Sequence, residues 1–247
     1  MYRFGLIGFP LSHSFSKRYF SDKFEKMGIS ESHRYDLFEM EDIRDLRTLV
    51  AETEGLRGLN VTIPHKLNVL PFLSAIDPAA ERIGAVNVLK IDHQRQITGY
   101  NSDYYGFRRS LDEFLDGHLP QNALILGSGG AARAVRVALE DMAIPYKIVS
   151  RSEGNGTISY ATANTLLEDH TLIINCTPLG TYPNIDTSPP LNYSLLSGGH
   201  FLYDLVYNPE ETLFMKQGKT QDAKTLNGYS MLVYQAEKSW EIWNAPA

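Results

Sequence analysis

Cysteine is almost absent from the sequence, and this scarcity limits the class of protein that it can encode. Cys176 is the only cysteine among 247 residues, so an intrachain disulfide and a cysteine-based metal cluster are both excluded. The seven histidines show no spacing that is typical of metal ligands, and we predict no metal site. A single thiol fits a reducing compartment, so we expect a cytoplasmic protein.

Long apolar runs and clusters of basic residues are absent as well. No apolar run reaches the roughly 18 residues that a membrane-spanning helix needs, and the segment from Pro10 to Ser14 is too polar for a signal peptide. The formal net charge is −6 and no run of lysine or arginine stands out, which argues against nucleic acid or an anionic membrane as the main partner. We expect a small-molecule substrate as the partner. We also expect a monomer or homodimer.

The pattern of apolar residues predicts an α/β protein with two α/β domains. Short β-branched strands alternate with amphipathic helices from Arg3 to Ile63. Two further strands around a polar turn, Ala85–Ile91 and Gln96–Tyr100, give this first sheet an antiparallel edge. A second βα series begins with the apolar run Ala123–Leu126, which is typical of a buried parallel strand. At 247 residues, the chain can hold one large or two small domains, each with its own core.

We place the domain boundary near residue 103. Residues 1–103 are predicted to form an N-terminal mixed-sheet domain, and residues 104–228 a Rossmann-like domain. The last helix, Met231–Trp243, comes too late to belong simply to the second series. We therefore expect the C-terminal helix, within residues 229–247, to pack back on the first domain and complete it.

A glycine-rich turn between two predicted strands indicates a dinucleotide site. Gly127, Gly129 and Ala132 match the pattern G-x-G-x-x-A, with a strand before it, a helix after it, and the strand Tyr146–Ser150 at βαβ spacing. Glycines let the backbone approach a pyrophosphate, and the helix start offers N–H groups and the positive end of its dipole. The predicted contacts come from Gly127, Ser128, Gly129, Gly130 and Ala131.

Arg151 follows the next strand, where an NAD-binding fold usually carries an acidic residue for the adenosine ribose. A guanidinium at that position attracts a 2′-phosphate through a charge-assisted contact, so NADP is favoured over NAD. The alternative is an arginine that is simply solvated at the surface.

Lys66 and Asp103 form the pair that we expect to carry the chemistry. Lys66 follows Pro64 at a strand-to-helix corner, and Asp103 follows a strand that ends at Tyr100; open α/β sheets place ligands at such strand ends. A carboxylate within reach of a lysine holds its proton and its orientation. The pair could handle a hydroxyl proton while a cofactor takes the hydride. A surface salt bridge is the alternative.

Other polar residues near strand and helix ends could surround a substrate. Ser14 and Ser16 lie where the first helix starts, where they could cap the helix or bind a substrate carboxylate. Met231 and Gln235 share a face of the last helix, either toward a ligand or as a core methionine and a solvated amide. Neutral groups at strand ends suit a polyhydroxylated substrate, although such residues also make plain turns; they are Asn60, Thr62, Asn87 and Asn101.

Six separated blocks, in this order, resemble the shikimate dehydrogenase family. They are HSFS from His13, NVTIPHK ending at Lys66, GAVN ending at Asn87, GYNSD ending at Asp103, GSGGAAR from Gly127, and the helix with Met231, Gln235 and Ala236. The resemblance covers most of the chain. It implies an NADP-linked oxidoreductase that interconverts 3-dehydroshikimate and shikimate in aromatic amino-acid biosynthesis, with substrate in the first domain and NADP in the second.

The resemblance also implies a role for individual residues. Lys66 and Asp103 would be the catalytic pair. Around the substrate it places Ser14, Ser16, Asn60, Thr62, Asn87, Asn101, Tyr207 and Gln235. Around the cofactor it places the glycine turn, Arg151, Thr177, Gly228 and Met231.

The chain departs from the family pattern at several positions. Many NADP-using members carry a second arginine shortly after the first, whereas Asn155 lies in that region here, so we expect Arg151 to act largely alone. Elsewhere the family usually has Pro at Lys17, Asn at Ser150, Asp at Asn227 and Gly at Ser230.

Two other functions remain open from the sequence. A quinate/shikimate dehydrogenase with relaxed or NAD preference would use the same pocket, but an acidic residue in place of Arg151 would have favoured it. A non-catalytic NADP-binding regulatory module would keep the fold, but the loss of Lys66 or Asp103 would have favoured that function, and both are present.

Overall fold

Two six-stranded sheets carry the fold, and each lies in its own part of the chain. The computed structural model describes residues 1–11, 14–154 and 156–246. One unit comprises Met1–Ser102 with Ala236–Ala247, and the other comprises Asp103–Gln235. Within the described residues, no helix is long and apolar enough to cross a membrane.

The first unit has a mixed sheet, as predicted. Its elements are β1 (Tyr2–Gly8), α1 (Phe15–Lys26), β2 (His33–Glu39), a 3₁₀ turn (Ile43–Asp45), α2 (Leu46–Glu52), β3 (Leu56–Val61), α3 (His65–Asn68), a second 3₁₀ turn (Leu70–Phe72), β4 (Ala75–Ile76), α4 (Pro78–Ile83), β5 (Val88–Ile91) and β6 (Ile97–Tyr100). The strand order is β2-β1-β3-β5-β6-β4. Strand β5 runs antiparallel to β3 and β6, whereas β1 runs parallel to β3. The start of β5 therefore lies at the same edge as the ends of β1, β3 and β6.

Helix α1 shows how the local sequence determines where a helix begins and which side chains it buries. Ser14 is its N-cap and accepts a hydrogen bond from the Lys17 N–H at 3.2 Å, which satisfies one of the donors that a helix start leaves open. The spacing of Phe20, Phe24 and Met27 predicts one apolar face. Phe20 and Phe24 are buried, but Met27 is 49% exposed because it is the C-cap, where the helical period ends.

The end of the last helix, α9 (Tyr229–Asn244), packs on the first sheet, as predicted. The ring of Trp243 stacks on Phe4 with centroids 4.9 Å apart, and its Nε1 donates to the Leu89 carbonyl at 3.0 Å. A Cβ at Gly58 would lie 2.2 Å from the Trp243 ring, so only glycine lets the indole approach β3 this closely. Glu237 adds an ion pair with Lys23 at 2.7 Å.

The second unit has the parallel sheet of a Rossmann-like fold. Its elements are α5 (Ser102–Leu115), β7 (Ala123–Leu126), α6 (Gly130–Asp141), β8 (Tyr146–Val149), β9 (Thr157–Ile158), α7 (Tyr160–Asn164), β10 (Leu172–Asn175), a 3₁₀ turn (Tyr193–Leu195), β11 (Phe201–Asp204), α8 (Leu213–Lys219), β12 (Lys224–Leu226) and the first turns of α9. The strand order is β12-β11-β10-β7-β8-β9, and every pair is parallel. The strand order reverses between β7 and β10. Open α/β sheets bind ligands at such a reversal.

Helices α5 and α9 cross closely within this unit. A Cβ at Gly106 would lie 2.6 Å from the Met231 carbonyl oxygen and 2.9 Å from the Gln235 nitrogen. Glycine therefore allows the two backbones to touch. Met231 shares the core with Phe107, and Phe107 also packs edge-on against Tyr203.

Candidate functional site

Three of the polar residues predicted around a substrate lie at one edge of the first sheet. Thr62 follows β3, Asn87 precedes β5 and Asn101 follows β6. The antiparallel run of β5 brings these three positions to the same edge. The Val61 N–H donates to the Asn87 carbonyl at 2.8 Å, and the Asn87 N–H donates to the Tyr100 carbonyl at 3.0 Å.

Asn60 is held in a fixed orientation by buried hydroxyl groups. Its Oδ1 accepts from the Tyr35 hydroxyl at 2.8 Å, and its Nδ2 donates to the Ser239 hydroxyl at 2.9 Å. Burial raises the pKa of Tyr35, against a smaller opposing effect of its hydrogen bond with Ser16, so the phenol stays neutral. Ser16 is thereby linked to Asn60 through Tyr35, whereas Ser14 acts as the helix cap.

Asn87 and Asn101 fix the chain where it enters α5. The Asn87 Oδ1 accepts from the Ser102 N–H at 2.7 Å, and its Nδ2 donates to the Ser102 hydroxyl at 3.1 Å. The Asn101 Nδ2 donates to the Ala85 carbonyl at 2.9 Å. Asp103 lies in the first turn of α5 and is 8% exposed; a carboxylate there interacts favourably with the helix dipole.

Lys66 lies in the single turn of α3, which begins directly after Pro64. The carbonyl of Lys66 accepts from the Val86 N–H at 2.9 Å. The neighbouring His65 is buried, and its Nε2 lies 2.6 Å from the Met40 carbonyl oxygen. The turn that carries Lys66 is thus anchored on both sides, while Lys66 itself is only half-buried. Asp103 belongs to the other unit, and its pairing with Lys66 remains a prediction.

A cleft in the second unit brings together five of the residues predicted to bind the cofactor. It has a volume of about 500 Å³ and lies at the carboxyl ends of β7, β8 and β10. The predicted residues in its lining are Gly127, Ser128, Gly129, Arg151 and Thr177. The cleft also contains Tyr160, which no motif in the sequence identified.

The glycine turn leaves space where a pyrophosphate would bind. Gly127 has φ +102°, a backbone conformation that favours glycine. A Cβ at Gly129 or Gly130 would meet no atom within 4 Å, so the space beside the start of α6 is open. Gly129 is the N-cap of α6, and no side chain caps this helix. Its first N–H groups can therefore bind an anion, and the turn, including Ala131, fits the phosphates of a dinucleotide.

Arg151 and Tyr160 lie together at the end of the cleft beyond β8. Arg151 is exposed, as a group that binds a phosphate from solvent requires. Burial raises the pKa of Tyr160, and the nearby Arg151 charge opposes that shift. A neutral phenol beside a guanidinium offers a further hydrogen-bond donor. His13 begins one of the blocks that resemble the family, and Asn155 lies where many members carry a second arginine. Both residues lie outside the described ranges.

The remaining predicted residues lie near the carboxyl end of β11 and in α9. A Cβ at Gly228 would lie 2.2 Å from the Leu205 carbonyl oxygen, and the Gly228 N–H donates to the Val206 carbonyl at 3.1 Å. Tyr207 follows Val206 in the chain and is exposed, whereas Met231 is buried. Gln235 is one turn beyond Met231 in α9. Across the described ranges, no group of three or more acidic, histidine or cysteine side chains could hold a metal ion.

Comparisons with known proteins agree over nearly the whole chain. Residues 6–89 match the family described as the shikimate dehydrogenase substrate binding domain. A curated shikimate dehydrogenase (NADP(+)) from Methanococcus maripaludis is 36% identical over 97% of this chain and 90% of its own length.

Two solved structures are similar to this chain. Shikimate 5-dehydrogenase from Thermus thermophilus, in complex with NADP(H) and shikimate, has a TM-score of 0.83 and 28% identity, covering 99% of this chain and 94% of that one. Quinate dehydrogenase from Corynebacterium glutamicum, in complex with NAD, has a TM-score of 0.88 and 25% identity, covering 98% and 93%.

Proposed function

The chain belongs to the shikimate dehydrogenase family, and from that premise we propose that it reduces 3-dehydroshikimate reversibly to shikimate with NADPH. The observation that carries the proposal is the 36% identity to a curated NADP-dependent relative over 97% of the chain. Lys66 and Asp103, which the proposed chemistry needs, lie within the sequence blocks that resemble the family. The reaction is a step in aromatic amino-acid biosynthesis.

Lys66 and Asp103 are the acid–base pair of this proposal. NADPH supplies the hydride. The Lys66 Nζ donates a proton to the carbonyl oxygen of the substrate, and the Asp103 carboxylate keeps that ammonium charged and oriented. The anchored turn of α3 supports this role, because a proton donor must be held within hydrogen-bond reach of the reacting oxygen.

The first unit binds the substrate. Hydroxyls and amides at one sheet edge suit a polyhydroxylated ring, because each group donates and accepts hydrogen bonds. The set comprises Ser14, Ser16, Asn60, Thr62, Asn87 and Asn101, with Tyr207 and Gln235 from the second unit. The matched substrate binding domain, residues 6–89, falls within the first unit and supports this assignment.

The second unit binds NADP at the glycine turn, with Arg151 near the 2′-phosphate, Thr177 and Gly228 along the cleft, and Met231 toward the nicotinamide. Arginine attracts the 2′-phosphate that an acidic residue would repel. NAD-linked quinate oxidation is the second candidate, because the fold is also similar to that of an NAD-bound quinate dehydrogenase. The charge of Arg151 disfavours it.

Initial rates of the purified protein, with shikimate or quinate crossed with NADP⁺ or NAD⁺, test these assignments. We expect the highest kcat/KM for shikimate with NADP⁺. A higher value for quinate with NAD⁺ would establish the second candidate instead. Tight NADPH binding without turnover of either substrate would indicate a regulatory module.

Compartment and assembly complete the proposal. We place the protein in the cytoplasm, since its single thiol fits a reducing environment. The chain is a monomer or a homodimer, and sedimentation equilibrium distinguishes the two masses.

A further inference from the structure

Asp204 is a buried carboxylate with no role in the function described so far. It ends β11, and none of its side chain is exposed. A buried carboxylate is costly unless donors surround it. Here its Oδ1 accepts from the Asn175 Nδ2 at 2.9 Å and from the Val206 N–H at 3.0 Å, and its Oδ2 accepts from the Thr212 hydroxyl at 2.6 Å.

The bond to Asn175 determines which way the Asn175 amide points. Asn175 is fully buried at the end of β10, directly opposite Asp204 in the ladder. A carboxylate only accepts hydrogen bonds, so the NH₂ group of Asn175 must face Asp204. The amide oxygen must then face the other way, toward the loop that follows β10.

That amide oxygen in turn holds Thr177. The Asn175 Oδ1 accepts from the Thr177 N–H at 3.0 Å and from the Thr177 hydroxyl at 2.6 Å. The same hydroxyl oxygen accepts from the Leu179 N–H at 3.3 Å. With its hydroxyl engaged in these bonds, Thr177 keeps its methyl group against the glycine turn: a Cβ placed on Gly127 would lie 3.1 Å from the Thr177 Cγ2.

We infer that Asp204 is a positioning residue for the cofactor cleft, acting through Asn175 to hold the Thr177 side chain against the glycine turn. The chain of contacts runs from the carboxylate to the amide and from the amide to the hydroxyl, and each step has one permitted direction. Thr177 lines the cleft beside Gly127, whereas Asp204 and Asn175 do not line it. This inference rests on the proposed function, because it concerns the cleft assigned to NADP.

The geometry distinguishes variants that break this chain of contacts from variants that spare it. Asp204→Leu keeps the approximate size but removes both acceptors, and Asn175→Leu removes the acceptor for Thr177. Asp204→Asn keeps an oxygen for Asn175 and Val206, because its new NH₂ group can donate to the Thr212 hydroxyl instead. Thr212→Val is the matched control, since it removes a hydrogen bond to the same carboxylate on the side away from Thr177.

The test is the dissociation constant of NADPH, followed by its fluorescence on the full chain, together with KM and kcat. We expect Asp204→Leu and Asn175→Leu each to weaken NADPH binding at least tenfold and to raise KM for NADP⁺. At saturating NADP⁺, kcat should fall much less. Asp204→Asn and Thr212→Val should stay within threefold of the unmodified protein. If Asp204→Leu does not fold, Asp204→Ser, which is too short to reach Asn175, replaces it.

Two results would overturn the inference: an Asp204→Leu or Asp204→Ser dissociation constant within threefold of normal, or an equal loss in Thr212→Val. An equal loss would mean that the carboxylate acts only through overall stability. These results differ from a failure of the proposed function, which the unmodified protein itself would show by not binding NADPH, by binding it without turnover, or by preferring quinate with NAD⁺.

Discussion

Lys66 lies in a turn of only four residues, so its position depends on the contacts of its neighbours more than on helix length. Replacing it with alanine leaves those backbone contacts intact and removes the side chain beyond Cβ, including the ammonium. We expect Lys66→Ala to lower kcat by roughly 100- to 10,000-fold, the usual size of a lost acid–base group, with NADPH binding unchanged. Stopped-flow and steady-state rates measure this, with Lys26→Ala in the last turn of α1 as the control. A near-normal kcat would remove Lys66 from the mechanism.

Arg151 determines the choice between cofactors if it binds the 2′-phosphate. A charge-assisted contact of this kind is worth on the order of ten- to a hundredfold in affinity, and we expect the lower part of that range because no second arginine accompanies it. Arg151→Ala should raise KM for NADP⁺ by about that factor and change KM for NAD⁺ little. Lys147→Ala, an exposed cation on β8, is the control. Equal losses with both cofactors would mean that Arg151 contacts the adenine and not the phosphate.

At the scale of single residues, the sequence predicts those that belong to motifs, and the structure adds the contacts that hold them in place. Gly127 and Arg151 could be predicted because each follows a recognisable strand, whereas Thr177 was implied by the resemblance to the family. Tyr160 could not, since it starts a five-residue helix in a region without a motif. The link from Asp204 to Asn175 was equally hidden, because the sequence shows both residues but not which atoms face each other.

Helix α1 combines a cap with a predicted anion site, and the two roles have different consequences. Ser14 caps the helix, and Ser16 bonds to Tyr35. We expect the double variant Ser14→Ala/Ser16→Ala to lose about 1 kcal/mol of unfolding free energy from the cap and also to raise KM for shikimate severalfold. Denaturant unfolding and steady-state rates provide the two measurements.

The matched control is the cap of α4. Asp77 accepts hydrogen bonds from the Ala79 and Ala80 N–H groups, so Asp77→Ala should cost a similar unfolding free energy without changing KM. If the double serine variant likewise leaves KM unchanged, the serines are caps alone.

The elements that could be predicted are those long enough to show a period. β7 was predicted over Ala123–Leu126 and has those bounds. The strand predicted over Ala85–Ile91 begins only at Val88, because the Val86 N–H donates to the Lys66 carbonyl and not to a neighbouring strand. The very short elements, such as β4 and β9, have two residues each and contain no periodicity to detect.

The stability of the whole molecule should carry a pH dependence from Asp204. Burial raises the pKa of its carboxyl from 3.8 to about 6, against the opposing hydrogen bonds from Thr212, Val206 and Asn175. Between these two values the folded state binds more protons than the unfolded state, so the free energy of unfolding falls as pH rises through this window. A shift of about two units corresponds to about 3 kcal/mol.

Asp204→Asn provides the reference, because it is neutral at every pH. The unmodified protein should lose roughly 2–3 kcal/mol of unfolding free energy relative to this variant between about pH 4 and pH 7.5, measured by urea unfolding. Two titratable neighbours, Cys176 and Tyr193, do not contribute to this difference. Burial raises the pKa of each, and the Asp204 charge raises it further, so both stay neutral. A constant difference across this range would show that the carboxyl titrates normally.

The contact between Phe4 and Trp243 has a consequence for the order in which the protein folds as it is synthesised. The two rings come from opposite ends of the sequence, and the second unit, Asp103–Gln235, lies between them. A ribosome exposes Phe4 first but cannot supply Trp243 until that whole unit has been made. Domains generally fold as units during synthesis. The second unit can therefore complete its core during synthesis, whereas the first sheet cannot bury Phe4 against Trp243 until the second unit has been made.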